Sequence, residues 1–408
     1  MTSRPFPWRL FLFAFFGWTF DFYDLVLLGF VKDPIAHDLH LTPTVESWVL
    51  GVALSTSGIG GIVSGVLADR FGKRTLLATT VFLYSIGSLV SGLAPNVAWF
   101  LVGRAIVGLG VGGEWAIGHG MLAEAVDPAR RGRAAAALQA GEPVGVALAA
   151  LAGFLVLPRV GWRWVFIGSS VTALLAVFVR RSMHLPSEPA AARPPTLADL
   201  RRAKLGSTLA RAWVLGVLKL GTYWTCYTWL PSFLAKEMGQ SVGRSLTWVL
   251  TAQLGQLFGM LTFGQASDRV GRRPAFAVYS LLTACALTPL AFAWQWLDTH
   301  PSLFWCAMLT LGIGSGCTAG FGALLAELFP TEVRSAAMGT TYNCARAAQL
   351  VSPVIVHAAV VSYGLRGGLS VPLVLAIATA SWVWTLPETR GIALPTLAAR
   401  LGANDRVA

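Results

Sequence analysis

Charge is what this chain has least of. Only 12% of its 408 residues are Asp, Glu, Lys or Arg, about half the share that a soluble protein uses to cover its wetted surface. Most of its surface therefore faces something other than water. Cysteine is also scarce: Cys226, Cys285, Cys306, Cys317 and Cys344 all fall within apolar runs and none shows metal-ligand spacing, so packing is their expected role. No nucleophile–base pair, metal cluster or phosphate-binding loop can be picked out, which argues against an enzyme, and no cofactor is implied. What is abundant is apolar. Hydrophobic residues make up 55% of the chain, with 16 Trp and 22 Phe, enough for a dozen membrane spans of about 20 residues each, with rings at interfaces and between helices.

Apolar runs between charged or Pro/Gly-rich breaks predict spans near 9–31, 46–68, 75–94, 97–122, 134–157, 163–180, 211–235, 245–266, 274–296, 302–326, 336–362 and 366–386. Without water to satisfy the backbone, such runs are helices. The first run carries Asp21 and Asp24, lacks a small-x-small cleavage site and reads as a retained span. The net charge of +12 is sorted by side. Of the 31 Lys and Arg, 22 fall in termini and loops on one face, six in loops on the other and three (Arg104, Lys219, Arg346) inside spans. That bias places both termini and the central linker in the cytoplasm, points to an inner membrane, and argues against nucleic acid as a partner.

The two halves repeat. GVLADRFGKR at 65–74 returns as GQASDRVGRR at 264–273, 199 positions later; GLGVGGE at 108–114 is echoed by LGIGSG at 311–316, and EAVDPARRGR at 124–133 by ELFPTEVRS at 327–335. Three matched blocks in order indicate a duplicated six-helix unit. The expected fold is an all-α membrane protein of twelve transmembrane helices in two pseudo-symmetric six-helix bundles: 1–180, a linker 181–210, 211–390 and a tail 391–408.

These blocks resemble the major facilitator superfamily across essentially the whole chain, the repeated G-x-x-x-D-R-x-G-R/K-R/K loop being that superfamily's most specific motif. PETRG at 387–391 resembles the ending of its sugar and organic-acid members. WTFDFYD at 18–24 is similar to the first helix of proton-coupled carboxylate importers; with Phe22 where aromatic-acid symporters carry glycine, it sits nearer the sialate and lactate branch, as do GGEWAIGHG at 112–120 and WLPSFL at 229–234. The resemblance implies alternating access around a central cavity bordered by helices 1 and 4.

An ionisable residue inside a span costs several kcal/mol unless it has a partner or a purpose. Asp21 and Asp24 lie one turn apart on the first span. Arg104, entering the fourth span from the other side, comes to a matching depth, and since the resemblance implies that helices 1 and 4 border one cavity, a carboxylate–guanidinium contact is expected. It is either a structural ion pair or a proton site, with Asp24 the first candidate for the proton and Asp21 the second. Glu114 and Glu142 lie in the inner half, Glu142 beside Pro143, which can disturb its helix; they are candidates for a relay or for helix-to-helix hydrogen bonds. Arg346, near the midplane, suits a carboxylate through its planar fork, with Asn343 and Gln349 one turn away on either side. Lys219, Gln253, Gln256, Tyr223 and Tyr227 complete the substrate-site candidates, and Trp224 joins the last two in an aromatic stripe. His119 and His357 fall near the interfaces and read as bystanders.

Gly65, Asp69, Arg70, Lys73 and Arg74 in the first loop motif, and Asp268, Arg269, Arg272 and Arg273 in the second, lie at helix ends where they can pair with Glu124, Glu327 and helix dipoles; Arg131 and Arg334 follow in the third block. By the resemblance these are gates that latch the outward-open state. The expected function is proton-coupled symport of a small organic anion (a carboxylate, aromatic acid or sugar acid) by a protein acting as a monomer, with the proton as coupling ion. The rivals are a proton-driven exporter of drugs or metabolites, whose G-x-x-x-G-P-x-x-G-G helix-5 pattern is absent, and a facilitative sugar transporter.

Overall fold

The computed structural model describes residues 6–172, 205–237 and 242–397, and every element among them is helical. The first half contains α1 (Trp8–Asp38), α2 (Pro43–Phe71), α3 (Lys73–Gly92), α4 (Val97–Ala125), α5 (Arg131–Gln139), α6 (Gly141–Leu151) and α7 (Leu157–Ser169). The second contains α8 (Leu205–Glu237), α9 (Val242–Val270), α10 (Arg272–Phe292), α11 (Pro301–Ser315), α12 (Gly320–Leu328), α13 (Arg334–Ala347) and α14 (Ser352–Trp382). Eight stretches among the described residues are long and apolar enough to cross a membrane, and a bent pair, 331–351 with 354–364, makes a ninth. The predicted span 163–180 passes out of the described residues at 172. The predicted spans 211–235 and 245–266 coincide with α8 and α9, and α8 already begins at Leu205, inside the predicted linker.

Local chemistry sets the boundaries. The side chain of Asn96 accepts the Trp99 N–H and starts α4, satisfying one of the free donors at a helix N-terminus. α2 passes into α3 through Gly72 at φ 98°, and α9 into α10 through Gly271 at φ 114°. Both are the glycine of a loop motif, and only glycine adopts that backbone without strain. The outer turns are also repeated: Gly161 breaks α7 and Gly364 breaks α14, dividing the fifth span from the sixth and the eleventh from the twelfth. α5 and α6 part at Ala140, where Pro143 lacks an N–H and its ring crowds the carbonyl of Gln139.

Small residues let the halves meet. A Cβ on Gly65 would lie 2.6 Å from the Ser335 carbonyl oxygen, and one on Gly264 2.6 Å from the Ala136 Cβ. α2 therefore packs directly on α13, and α9 on α5. Gly339 crosses Gly61 equally closely. Between the halves lies an apolar core that includes Trp18, Phe22, Trp115, Phe321 and Tyr342.

Candidate functional site

At the end carrying the Lys- and Arg-rich loops, the two halves are tied by a doubled set of contacts. The Asp69 carboxylate at the end of α2 accepts the N–H groups of Ser335 (3.2 Å) and Ala336 (2.9 Å) in the first turn of α13. Its repeat, Asp268 at the end of α9, accepts those of Gly132 and Arg133 (both 3.0 Å) in the first turn of α5. A carboxylate at a helix N-terminus satisfies orphan donors and meets the positive end of the helix dipole. Lys73 grips both oxygens of Glu124 at 2.8 Å, and Arg334 reaches Glu124 from the other half. Arg272 forks onto Glu327 (2.9 and 3.1 Å) and touches Asp268 at 2.7 Å. Arg131 and Arg334, 203 positions apart, each donate to a backbone carbonyl eight residues back, Ala123 and Ala326, at 3.0 Å. The expected pairing of the loop motifs with Glu124, Glu327 and helix ends is present. Arg70 and Arg269 face outward and Arg74 is half-buried, while Arg273 donates to the Trp384 carbonyl.

Sequence reasoning missed the contribution of the PETRG segment. Glu388 accepts the N–H groups of Arg272 and Arg273 (2.8 and 3.0 Å), Thr389 donates to Glu327 (2.7 Å), and Arg131 reaches the Ile392 carbonyl (2.9 Å). The tail thus spans both halves.

Midway along the helices, away from that end, the charges separate into two kinds. Arg104 and Asp24 form the expected contact, Nη1 to Oδ2 at 2.8 Å, with both side chains only 1% exposed. Asp24 Oδ1 also accepts from Ser88 (2.6 Å) and Ser169 (3.3 Å). Arg104 Nε donates to Ser91 (3.1 Å), and its guanidinium lies over the rings of Phe166 and Phe100. One turn away, Asp21 has a different neighbour: it lies beside Glu114 of α4, within electrostatic reach of Arg346. Apart from each other, neither carboxyl group has a hydrogen-bonding partner among the described residues, and both are buried. Gly17, one turn before Asp21, makes room, since a Cβ there would collide with the Glu114 carboxylate.

Arg346 is 1% exposed and has the Tyr342 hydroxyl as its hydrogen-bonding neighbour, while no carboxylate or carbonyl of a described residue bonds its terminal nitrogens. Its guanidinium is walled by rings, with centroids at 5.1 Å for Tyr342, 5.4 Å for Trp18 and 5.9 Å for Phe22. These three rings also escaped sequence reasoning, although helical spacing held the clue. Trp18 and Phe22 flank Asp21 on one face of α1, and Tyr342 lies one turn before Arg346.

Other candidates are engaged elsewhere. Asn343 donates to the carbonyls of Gly112 (2.6 Å) and Gly339 (3.2 Å), and Gln349 to those of Ala345 (2.8 Å) and Val217 (3.2 Å). Glu142 is held by Gln139 (2.7 Å) and, across the halves, by Gln256 (2.9 Å), with Tyr223 beside it. Trp115 Nε1 donates to Gln139 (2.8 Å) and completes the chain. Gln253 Oε1 and Lys219 Nζ have no partner among the described residues. Lys219 is near enough to Cys226, two turns along α8, for its charge to act on that thiol. The side chain of Tyr227 lies outside the described residues. His119 lies in the last two turns of α4. It is 2% exposed, bonded to the Trp115 carbonyl (3.1 Å) and tilted onto the Trp115 ring, because the packing of α4 against α12 closes over it. His357 is exposed.

Comparison with known proteins agrees with this architecture. The family described as Major Facilitator Superfamily matches residues 10–252 and 241–401. A probable 4-methylmuconolactone transporter of Cupriavidus pinatubonensis is 32% identical over 93% of this chain and 90% of its own length. A sialic acid transporter of Escherichia coli K12 is 29% identical over 88% of this chain and 89% of its own. Among solved structures, a proton:xylose symporter bound to 6-bromo-6-deoxy-D-glucose superposes with a TM-score of 0.78 at 18% identity, covering 97% of this chain and 98% of that one, a likeness of fold.

Proposed function

The chain belongs to the major facilitator superfamily and is a membrane transporter rather than an enzyme; from that premise we propose that it takes up a small organic anion together with protons, by alternating access. The observation that carries the reading is the Asp21–Glu114 pair beside Arg346. Two carboxylates in contact inside a membrane cannot both be ionised, so the pair holds a proton in the closed state and releases it once water enters from the other side. When Asp21 loses its proton, its charge competes with a substrate carboxylate for the Arg346 fork. When the proton returns, Arg346 is free to hold the anion. Proton and anion thus favour each other's binding, which is the requirement for symport.

Asp24, the first sequence candidate for the proton, becomes a structural residue in this scheme, because Arg104 and two serines already satisfy it. Asp21 takes its place, with Glu114 as its partner. Glu142 ties the halves together at mid-depth through Gln256. The latched end is the cytoplasmic one in this proposal, since it carries the excess of Lys and Arg. Both termini then lie in the cytoplasm of an inner-membrane protein that works as a monomer. The relatives named for acids support an anionic substrate.

Proteoliposomes with an inward proton gradient should accumulate benzoate, and a protonophore should abolish the accumulation. Accumulation indifferent to the gradient, or outward pumping, would overturn symport.

A further inference from the structure

The latch is built twice, so each copy is a control for the other. Both copies place an Asp on helix N–H groups and an Arg on a carbonyl eight residues back. Those shared parts are what closing that end requires. A feature found in one copy alone is not needed for closing and has another use. Such a feature surrounds Asp268. A cavity of about 280 Å³ lies there between the halves, lined by Ala129 and Arg133 of the first and Gln265, Asp268 and Arg269 of the second. At the matching positions of the other copy stand Glu332, Ala336, Val66, Asp69 and Arg70. One copy thus sets two arginines across the seam. The other has a single arginine, an alanine and an additional carboxylate.

The protein does not use up these two guanidinium groups. Arg133 reaches Asp268 through Nε at 3.3 Å, with its side chain 52% exposed, an ion pair of the kind that contributes little. Its terminal nitrogens, and the whole guanidinium of Arg269, bond no described residue. Asp268, the acid in the lining, is already answered: Arg272 lies 2.7 Å away, and Gly132 and Arg133 donate their N–H groups to it. Two cations brought to one cavity repel each other unless an anion lies between them. A carboxylate has two oxygens, which one planar fork takes up. A phosphate group has four, enough for a fork from each side, and the Gln265 amide offers a further donor.

We infer that this cavity is a phosphate-binding site in which Arg133 and Arg269 hold the anion from opposite halves. The phosphate belongs either to an anionic lipid headgroup at the bilayer surface or to a soluble molecule. An anion that needs both arginines binds the latched state more tightly than the unlatched one, so its occupancy shifts the balance toward the latch. Such a site acts whichever solute the transporter carries.

The test uses the purified full chain in phosphatidylcholine nanodiscs, with phosphatidylglycerol added to the bilayer in one arm and pyrophosphate to the buffer in the other. At least one addition should slow hydrogen exchange at Gly132 and Arg133 by about fivefold or more, leaving Ser335 and Ala336 within about twofold. Slowing by phosphatidylglycerol alone supports the site and assigns it to a headgroup; slowing by pyrophosphate alone assigns it to a soluble ligand, and slowing by both leaves it open to either. Arg269→Gln should abolish the slowing, and because Arg269 is exposed and bonds no described residue, this variant keeps its fold. Arg133→Lys, which retains the charge but loses the fork, should require about tenfold more ligand for the same slowing. Arg70→Gln, in the other copy, should leave the slowing in place. No slowing in either arm, or slowing that survives Arg269→Gln, overturns the site. Equal slowing in both copies, or equal loss in Arg70→Gln and Arg269→Gln, also overturns it, since attraction to the net positive charge would then suffice.

Discussion

The charges at the latched end, half-buried to buried, and the more deeply buried ones midway along the helices are bonded in opposite ways. At the latch, Asp69, Asp268, Glu124 and Glu327 each meet helix N–H groups or a cation, and the arrangement is written twice, 199 to 203 residues apart. At the centre, among the described residues, Asp21 and Glu114 have only each other as hydrogen-bonding partners and Arg346 only the Tyr342 hydroxyl, so no helix N–H group or opposite charge is bonded to any of the three. The contrast is sharpest within α1, where Asp24 is fully satisfied and Asp21, one turn away, is not. A charge whose partners are all supplied by the protein holds the protein together. A charge left incomplete in the same low-dielectric setting is available to a proton or a solute.

The harshest way to break the comparison is to strand a satisfied charge. Arg104→Ala leaves Asp24 buried against two serines and should destabilise the protein by about 3–5 kcal/mol, a large share of a typical total of about 5–15 kcal/mol. The expected result is loss of the monodisperse peak in size-exclusion chromatography and a lower melting temperature. Replacing both partners by apolar groups, Asp24→Leu with Arg104→Met, should restore much of that stability and leave proton-driven accumulation working. A folded double variant that exchanges solute but no longer concentrates it would return the coupling proton to Asp24.

Neutralising an unsatisfied charge should do less to the fold and more to the function. Asp21→Asn mimics the protonated side chain permanently. It should fold with a melting temperature near that of the wild type, bind benzoate, exchange it across proteoliposome membranes and fail to concentrate it against a gradient. Accumulation retained in this variant would move the coupling to Glu114 or Glu142. Exchange and accumulation lost together in a well-folded protein would make Asp21 a substrate ligand instead.

The sequence announced these two regions unequally. The latch was legible because its residues recur as local strings, and a repeated string keeps its helix-end geometry wherever the fold carries it. That Arg104 meets one of the two aspartates was legible from matching depths together with the resemblance that sets helices 1 and 4 beside one cavity; which aspartate it meets was not. What depth and periodicity cannot give is a partner's identity. Asn343 and Gln349 share the face of Arg346 yet spend their amide N–H groups on carbonyls of Gly112 and Val217, backbone atoms that the sequence pattern does not mark. The ring wall of Arg346 draws on α1 and α13 together, so reading α13 alone could not supply it. His119 looked peripheral by its distance from the helix end, and the closeness of α12 at Gly322 buries it.

The mildest test compares the two copies of the latch with each other. Asp69→Asn and Asp268→Asn each keep a side-chain oxygen that can accept one N–H but remove the charge facing the helix dipole, an interaction of about 0.3–1 kcal/mol, rising to about 2 kcal/mol when partly buried. Each should therefore shift the balance between latched and unlatched states by no more than about thirtyfold. Hydrogen exchange should quicken at Ser335 and Ala336 in the first variant and at Gly132 and Arg133 in the second. Equilibrium affinity for benzoate should change by less than about threefold, because the latch touches none of the groups around Arg346. The double variant should show the sum of the two effects, as expected for sites that share no partner. An affinity loss of about tenfold or more in either single variant would join the latch energetically to the centre. The paired charges would then do more than close one end: they would set how tightly the unpaired ones hold their solute.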